Sequence, residues 1–266
     1  MIRYQEFKPS PQLAPYIKCY WLLESSGIPV EEKIMPDGCI EMLFHFGDQF
    51  VKNNSTDELV DRFFVNGQNT KPFFLNSTGA AAVLGVRFYP FGAAPFLHLV
   101  MSELKDQFVT LESIYGSRVN SLTNQLGNET SWEGRIKSLE EFLISELRFS
   151  SWTWDPVVNK LVDKVYADKS RLNLSQYAAE VKYSERQVRR KFMDVVGINP
   201  SLFVRIVRFR EIFKLRKQTN DWDLLGLALD SGYHDQSHFI RDFKQFAGQT
   251  PASFFSEIQR MNSSFI

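Results

Sequence analysis

The chain has 266 residues, of which 44% are apolar and 23% charged, and its 31 Lys and Arg balance 31 Asp and Glu. This length favours two domains at ~100–200 residues each, and the apolar content excludes a disordered chain. No apolar run approaches the ~18 residues of a membrane span and no signal peptide is evident, which predicts a cytoplasmic protein with no membrane partner.

The net charge of zero conceals two halves of opposite sign. Residues 1–154 contain 13 Lys and Arg against 18 Asp and Glu, whereas residues 155–266 contain 18 against 13. Such asymmetry suggests an acidic module followed by a basic one, although a difference of this size also arises by chance. A linker is predicted within residues 149–154, which gives domains at residues 1–150 and 155–266.

Strand patterns dominate the first 100 residues. In residues 39–46, Ile40, Met42, Phe44 and Phe46 alternate with the other side chains, which predicts a strand with one buried face. Further strands are predicted at residues 15–24, 62–66 and 80–89. From residue 131 to 147 the apolar spacing lengthens to three and four, which predicts an amphipathic helix. Its apolar stripe either packs on its own domain or forms the seam of a homodimer.

Beyond residue 155 the signals are helical. Asp155-Pro156 opens one helix, and Asn173 caps a short second one at residues 174–181. Ser184 and Gln187 stand at capping-box spacing before a third helix that ends near residue 196. Val188 and Phe192 would face inward on this helix, and the outward positions are Arg186, Arg189, Arg190 and Lys191. A short helix, a tight turn and a helix with a basic outer face form a helix-turn-helix pattern.

A similar unit follows after one long helix. Asn199-Pro200 starts a helix that runs to about Gln218, roughly 18 residues or ~27 Å. A short helix at residues 224–229 then precedes a turn, and Asp235 caps a helix whose outer positions are Gln236, Ser237, His238, Arg241 and Lys244. Two such units on a ~27 Å spacer could reach successive major grooves of DNA, which lie ~34 Å apart.

Two simpler interpretations of these helices remain. A basic helix face is often only a solvated face, although the paired units with matched spacing favour DNA. His234 and His238 stand at i and i+4, but no thiol lies at ligand spacing and the nearby carboxylates cap helices or lie on the surface. No metal and no cofactor are therefore predicted.

Residues 172–255 resemble the DNA-binding domain of AraC/XylS-type regulators. The most specific stretch is Gly232-Tyr233-His234-Asp235-Gln236-Ser237-His238-Phe239-Ile240-Arg241-Asp242-Phe243-Lys244. The resemblance implies an all-α domain with two helix-turn-helix units, double-stranded DNA as partner, and RNA polymerase as a further partner of an activator. It also implies DNA contacts in one groove from Ser184, Arg186, Gln187, Arg189 and Arg190, and in the next from Gln236, Ser237, His238, Arg241 and Lys244.

The acidic half resembles a domain of uncharacterised function that precedes AraC-type domains. The matching features include Tyr20-Trp21, Met35-Pro36-Asp37-Gly38 and the stretch from Leu84 to Pro90. The resemblance implies a strand-rich, cupin-like domain with helices, so that the whole chain is α+β. Domains in this position bind a small-molecule effector, dimerise, or do both.

Six residues of the acidic half are candidates for a ligand pocket: Trp21, Met35, Glu41, His45, Arg87 and Tyr89. Glu41 and His45 share one face of a strand, and Arg87 lies on another strand. One hypothesis is a polar pocket for a small anion. The alternative is that Glu41 and Arg87 form a structural ion pair. The clustered His and Glu of metal-binding cupins are missing, since His45 and His98 are the only histidines before the linker.

An enzyme that uses the same DNA-binding module is the second functional class. DNA-repair alkyltransferases combine this module with nucleophilic or zinc-held cysteines, here Cys19 or Cys39. A reactive thiol needs a basic or helix-start environment, and these two stand in apolar strand patterns. The sequence therefore predicts two core cysteines and no enzymatic activity.

Overall fold

The computed structural model describes residues 2–53, 59–150, 152, 155–168, 172–216 and 224–263. The strands within these ranges all lie before residue 111. They are β1 (Ile2–Phe7), β2 (Ile17–Ser25), β3 (Glu31–Ile34), β4 (Glu41–His45), β5 (Phe50–Lys52), β6 (Leu59–Val60), β7 (Phe63–Asn66), β8 (Phe73–Ser77), β9 (Ala82–Phe88) and β10 (Phe108–Thr110). The four predicted strands, at residues 15–24, 39–46, 62–66 and 80–89, correspond to β2, β4, β7 and β9.

The strands form two antiparallel sheets. The first has the order β1-β2-β9-β4-β7-β10 and the second the order β3-β8-β5-β6. A small apolar cluster between them joins Trp21 and Leu43 of the first sheet to Phe50 and Leu75 of the second. The opposite face of the six-stranded sheet contributes to a larger core that it shares with the helices.

Strand β4 differs from its prediction, because both of its faces are buried. Met42 and Phe44 are fully buried in the large core, as the alternation predicts. Leu43 and His45 on the other face are buried too, at 5% and 2% exposure. The reason is that β4 lies inside a three-layer arrangement, with helices on one side of its sheet and the second sheet on the other.

The helical predictions are confirmed closely because their caps are local. Asp155 accepts backbone bonds from Val157 and Val158, and Ser131 accepts one from Gly134. The helices are α1 (Ala94–Leu97), α2 (Leu111–Tyr115), α3 (Arg118–Asn128), α4 (Trp132–Phe149), α5 (Pro156–Ala167), α6 (Leu174–Glu180), α7 (Glu185–Val196), α8 (Pro200–Arg216), α9 (Leu224–Asp230), α10 (Gln236–Ala247) and α11 (Pro251–Ser263). Gln218, the predicted end of α8, lies outside the described residues.

Helix α4 packs onto its own chain. Leu139 and Leu143 of its apolar stripe are fully buried in the large core. Glu146 on the same helix is 3% exposed and accepts a bond from Arg118 at 2.9 Å. The apolar stripe of α4 therefore packs against the core of its own chain.

The strand-rich and helical regions share the large core and touch at several points. The Gly38 turn before β4 rests on Phe203 of α8. Gly197, which ends α7, lies against the backbone of Met101 in a 3₁₀ turn at Met101–Leu104. Lys33 of β3 stands 5.6 Å from the ring centre of Phe254 in α11. The N-terminal region thus contacts both the first unit and the end of the second.

The contact at Gly38 gives a mutational prediction with a matched control. Gly38 has a φ of +80°, and an added Cβ would meet the Phe203 ring at 2.9 Å. Gly27 has a similar φ of +71°, but its added Cβ would meet nothing within 4 Å. Both changes to alanine carry backbone strain of about 1 kcal/mol, and Gly38→Ala adds an overpacking cost of about 1–3 kcal/mol.

We expect urea unfolding to show Gly38→Ala less stable than Gly27→Ala by that overpacking cost. The difference measures how tightly the two regions are packed at this point. Equal losses of stability in the two variants would mean that the contact between Gly38 and α8 is too loose to affect the free energy of unfolding.

Among the residues that the structure describes, no helix is both long and apolar enough to cross a membrane.

Candidate DNA interface and ligand cavity

Helix α7 presents a cationic outer surface. Ser184 and Gln187 form the predicted capping box, in which the Ser184 hydroxyl accepts from the Gln187 backbone at 3.3 Å. Val188, Phe192, Val195 and Val196 of this helix are buried. The candidate residues Ser184, Arg186, Gln187, Arg189 and Arg190 are all exposed.

The side chains on α7 differ in how free they are to reach a partner. Ser184 and Gln187 bond each other, and Arg189 bonds Glu185 at 3.4 Å. Lys191 differs from its prediction as a free outward cation. Its side chain donates to Asp155 at 2.9 Å, which holds it against the start of α5. The free cations of this face are therefore Arg186 and Arg190, for which no ion pair is found within the described part of the chain.

Helix α10 repeats the arrangement in the second unit. Asp235 caps it by accepting from the His238 backbone at 2.9 Å, and this bond lowers the pKa of the Asp235 carboxyl. Phe239 and Phe243 face the core. The predicted outer residues are all exposed: Gln236, Ser237, His238, Arg241 and Lys244. The side chain of His238 lies 3.0 Å from the Asp235 carboxylate.

The long helix α8 joins the two units and fixes the second one through a buried ion pair. It has 17 residues, which corresponds to ~26 Å. Arg205 of α8 donates to Asp242 of α10 at 2.9 and 2.6 Å, and to Gln245 at 2.6 Å. The Asp242 side chain is only 7% exposed. The sequence carries no local signal of this pair, because its partners lie 37 residues apart in different motifs.

A cavity of about 180 Å³ lies between the two sheets of the N-terminal region. Its lining includes Trp21, Phe50 and Phe64 together with the polar residues Glu32, Glu41, His45, Asn66 and Arg87. An apolar cavity of ~150 Å³ is large enough for benzene, so this space suits a small organic molecule.

An ion pair occupies one wall of the cavity. β4 and β9 are paired with Glu41 opposite Arg87, and the guanidinium donates to the carboxylate at 2.8 Å. The Trp21 indole donates to the same carboxylate oxygen at 3.0 Å. Two further carboxylates, Asp37 and Glu6, lie 4.0 Å from Arg87. Arg87 is thus already surrounded by negative charge.

The six candidate pocket residues lie in three different places. Trp21, Glu41, His45 and Arg87 line the cavity between the sheets. Met35 packs against the large core instead. Tyr89 lines a different cavity of about 250 Å³ between the strand-rich and helical regions, and Arg87 reaches both cavities.

Glu32 is a cavity residue that is not among the candidates predicted from the sequence. Strand β3 reads as polar, but its side chains alternate, so that Glu32 and Ile34 face the cavity while Lys33 contacts α11. Burial raises the pKa of the Glu32 carboxyl and lowers that of His45 to about 4. The sequence of β3, Glu-Glu-Lys-Ile, shows no alternation of apolar and polar residues, so no local signal places Glu32 in the cavity.

The two cysteines are core residues. Cys19 and Cys39 are 7% and 6% exposed, and both thiols are free. Burial raises the pKa of each thiol. Within the described residues, no group of three or more His, Cys, Asp or Glu side chains could hold a metal ion.

Two helix-turn-helix units with exposed cationic helices on one connecting helix define a double helix-turn-helix domain. Residues 177–257 match the family model of a helix-turn-helix domain, and residues 5–110 match a domain of unknown function, DUF6597. The chain therefore has a DUF6597 domain followed by an AraC-type helix-turn-helix domain. This confirms both resemblances that the sequence indicates.

Similar proteins with assigned names are transcriptional regulators. The HTH-type transcriptional regulator MtrA of Neisseria gonorrhoeae is 29% identical over 101 residues, which cover 38% of this chain and 32% of MtrA. An uncharacterized HTH-type transcriptional regulator of Staphylococcus aureus strain MSSA476 is 31% identical over 104 residues, which cover 38% of this chain and 13% of that protein. The chain thus matches less than a third of the length of either relative.

Among solved structures, ToxT from Vibrio cholerae is similar with 14% identity and a TM-score of 0.47, covering 86% of this chain and 98% of ToxT. The AraC-like transcriptional activator CuxR has 12% identity and a TM-score of 0.25, covering 80% of this chain and 86% of CuxR. Likeness at this level carries no information about DNA sequence or ligand.

Proposed function

We propose that the protein is a sequence-specific DNA-binding transcriptional regulator whose activity is set by a small molecule in the N-terminal domain. The observation that carries this proposal is the pair of exposed cationic helices, α7 and α10, on the single helix α8. Each is preceded by a short helix and a turn, as a recognition helix is. Their outward Arg and Gln side chains are suited to guanine and adenine edges.

In this proposal, residues 1–150 form an effector-binding domain and residues 155–266 form the DNA-binding domain. DNA would be contacted in one groove through Arg186 and Arg190, and in the next through Gln236, Ser237 and Arg241. Lys244 and His238 extend the second surface toward the phosphates. A second copy of the chain would double these contacts, and RNA polymerase would be a partner if the protein activates transcription.

Three strands, β3, β4 and β7, connect the cavity between the two sheets to the DNA-binding domain. On β3, Glu32 lines the cavity and the next residue, Lys33, contacts Phe254. The turn before β4 places Gly38 against Phe203, three residues before Glu41 of the cavity.

After β7, where Asn66 lines the cavity, Gln68 donates to the Gly38 carbonyl at 2.9 Å and lies near Gly197. A ligand that moves these strands would shift the relative positions of α7, α8 and α11. It changes DNA binding only if it prefers one arrangement over the other.

An alkyltransferase activity is disfavoured by the state of the cysteines. The thiolate is the nucleophilic form, and burial raises the pKa of both Cys19 and Cys39. Neither thiol lies at a helix start or in an ion pair within the described residues. The two cysteines are better explained as small core side chains.

Selection from a random double-stranded DNA library, followed by binding titrations at several salt concentrations, tests the proposed function. We expect enrichment of a defined sequence, and a logarithmic salt slope of about −0.9 for each phosphate contacted. A library that stays random after selection, together with a flat salt slope, would contradict the proposal.

A further inference from the structure

The cavity between the two sheets has an excess of negative charge. Two carboxylates, Glu32 and Glu41, line it together with a single guanidinium, that of Arg87. Arg87 is engaged by Glu41 at 2.8 Å and has Asp37 and Glu6 at 4.0 Å. An incoming anion would therefore meet a cation that is already neutralised and a further carboxylate, Glu32.

Glu32 is the carboxylate of this cavity that forms no direct ion pair within the described residues. It is partly buried, and no ion pair or hydrogen bond to its side chain is found within the described residues. Burial raises the pKa of its carboxyl, and the Arg87 guanidinium, which already faces Glu41, offsets that rise only in part. A buried carboxylate gains most from a partner that brings both a positive charge and N–H donors.

His45 supplies a second unfilled partner. It lines the cavity, is 2% exposed, and its Nδ1 has no hydrogen-bond partner. With a pKa lowered to about 4, the ring is neutral at pH 7 and adds no positive charge. A neutral imidazole has one protonated and one unprotonated nitrogen, so in the tautomer with the proton on Nε2 the Nδ1 atom accepts a hydrogen bond from an N–H donor.

The rest of the lining is aromatic. Trp21, Phe50 and Phe64 are buried around the cavity, and Tyr4 stacks on Trp21 with ring centres 6.3 Å apart. Aromatic faces attract cations, most strongly where water is excluded. The lining therefore suits an apolar molecule that carries one positive charge.

We propose that the effector of this protein is a small arylalkylamine, held in the cavity between the two sheets with its ammonium group on Glu32 and its ring among Trp21, Phe50 and Phe64. This inference rests on the proposed function, because it names the ligand class of the effector-binding domain. The volume of about 180 Å³ limits the ligand to roughly one ring with a short side chain.

Isothermal titration calorimetry on the full chain without DNA tests the inference with three probes of matched shape. They are 2-phenylethylamine, the neutral 2-phenylethanol and the anionic phenylacetate. We expect the amine to bind at least about tenfold more tightly than the alcohol, and phenylacetate to bind most weakly. Equal or tighter binding of the alcohol or of phenylacetate overturns the inference, as does an amine that does not bind at millimolar concentration.

Two neighbouring glutamates provide the variant and its control. Glu32→Gln is expected to weaken the amine about tenfold and to leave the alcohol unchanged. Glu31→Gln removes the same charge from an exposed position on the same strand, outside the cavity lining, and is expected to leave both probes unchanged. Equal amine binding by wild type and Glu32→Gln, or equal weakening by both variants, overturns the role of Glu32.

The DNA titrations separate this inference from the proposed function. A protein that binds its selected DNA but no amine contradicts the ligand class alone. A protein that binds the amine through Glu32 but no specific DNA contradicts the proposed function and leaves the cavity assignment in place.

Discussion

Replacing Arg205 by alanine is expected to lower the free energy of unfolding by about 3 kcal/mol. The Asp242 carboxylate, whose side chain is 7% exposed in the native structure, would lose the donors at 2.9 and 2.6 Å, and a buried charge without a partner costs ~3–5 kcal/mol. We expect the lower end of this range because a third of the Arg205 side chain is exposed. The loss is a large share of the ~5–15 kcal/mol that is typical of a folded domain.

Chemical unfolding followed by circular dichroism measures this effect. Lys214→Ala is the control on the same helix: its surface pair with Glu211 is expected to contribute less than about 1 kcal/mol. The double variant Arg205→Met with Asp242→Leu should recover most of the loss, since it leaves no unpaired charge. A single Arg205→Ala variant as stable as the Lys214→Ala control would show that the pair does not hold α10 on α8.

Replacing Arg190 by alanine is expected to weaken binding to the selected DNA by ~1–3 kcal/mol, which corresponds to roughly 5- to 150-fold in Kd. The residue is exposed on α7 and forms no ion pair within the described residues, so its removal should leave the fold intact. If Arg190 pairs with a guanine, the variant also loses discrimination at one base pair. Fluorescence anisotropy with the selected site and its single-base variants measures both effects.

The control for Arg190 is a cation of the same domain away from the two recognition helices. Lys160 is exposed on α5, so Lys160→Ala removes one positive charge from the same domain without changing α7 or α10. Its effect on DNA affinity is expected to be small, and it should leave base preference unchanged. Equal weakening by Arg190→Ala and Lys160→Ala would indicate a general charge effect and no base contact by Arg190.

The helical half could be predicted from the sequence because its signals are local. Caps such as Asp155 and Ser184 lie within three residues of the groups they satisfy, and Gly197 and Gly248 end α7 and α10 with positive φ. The outward positions of both recognition helices follow directly from the 3.6-residue period. Lys191 departs from it because Asp155, 36 residues away, attracts its side chain.

The N-terminal half was predicted less completely because its determinants are distant in sequence. The pairing of Glu41 with Arg87 requires β4 and β9 to lie side by side in one register. The second buried face of β4 depends on a sheet built from β3, β5, β6 and β8, none of which was predicted. These strands are short, and three of the four residues of β3 are charged, so period-two patterns do not reveal them.

A protection footprint of the selected DNA, with wild type compared to Arg190→Ala and Arg241→Ala, measures whether the two helix-turn-helix units occupy successive major grooves. Two recognition helices in successive grooves predict two protected blocks about 10–10.5 base pairs apart, with Arg190→Ala weakening one block and Arg241→Ala the other. A single protected block, or loss of the same block in both variants, would show that the two helices do not bind successive grooves.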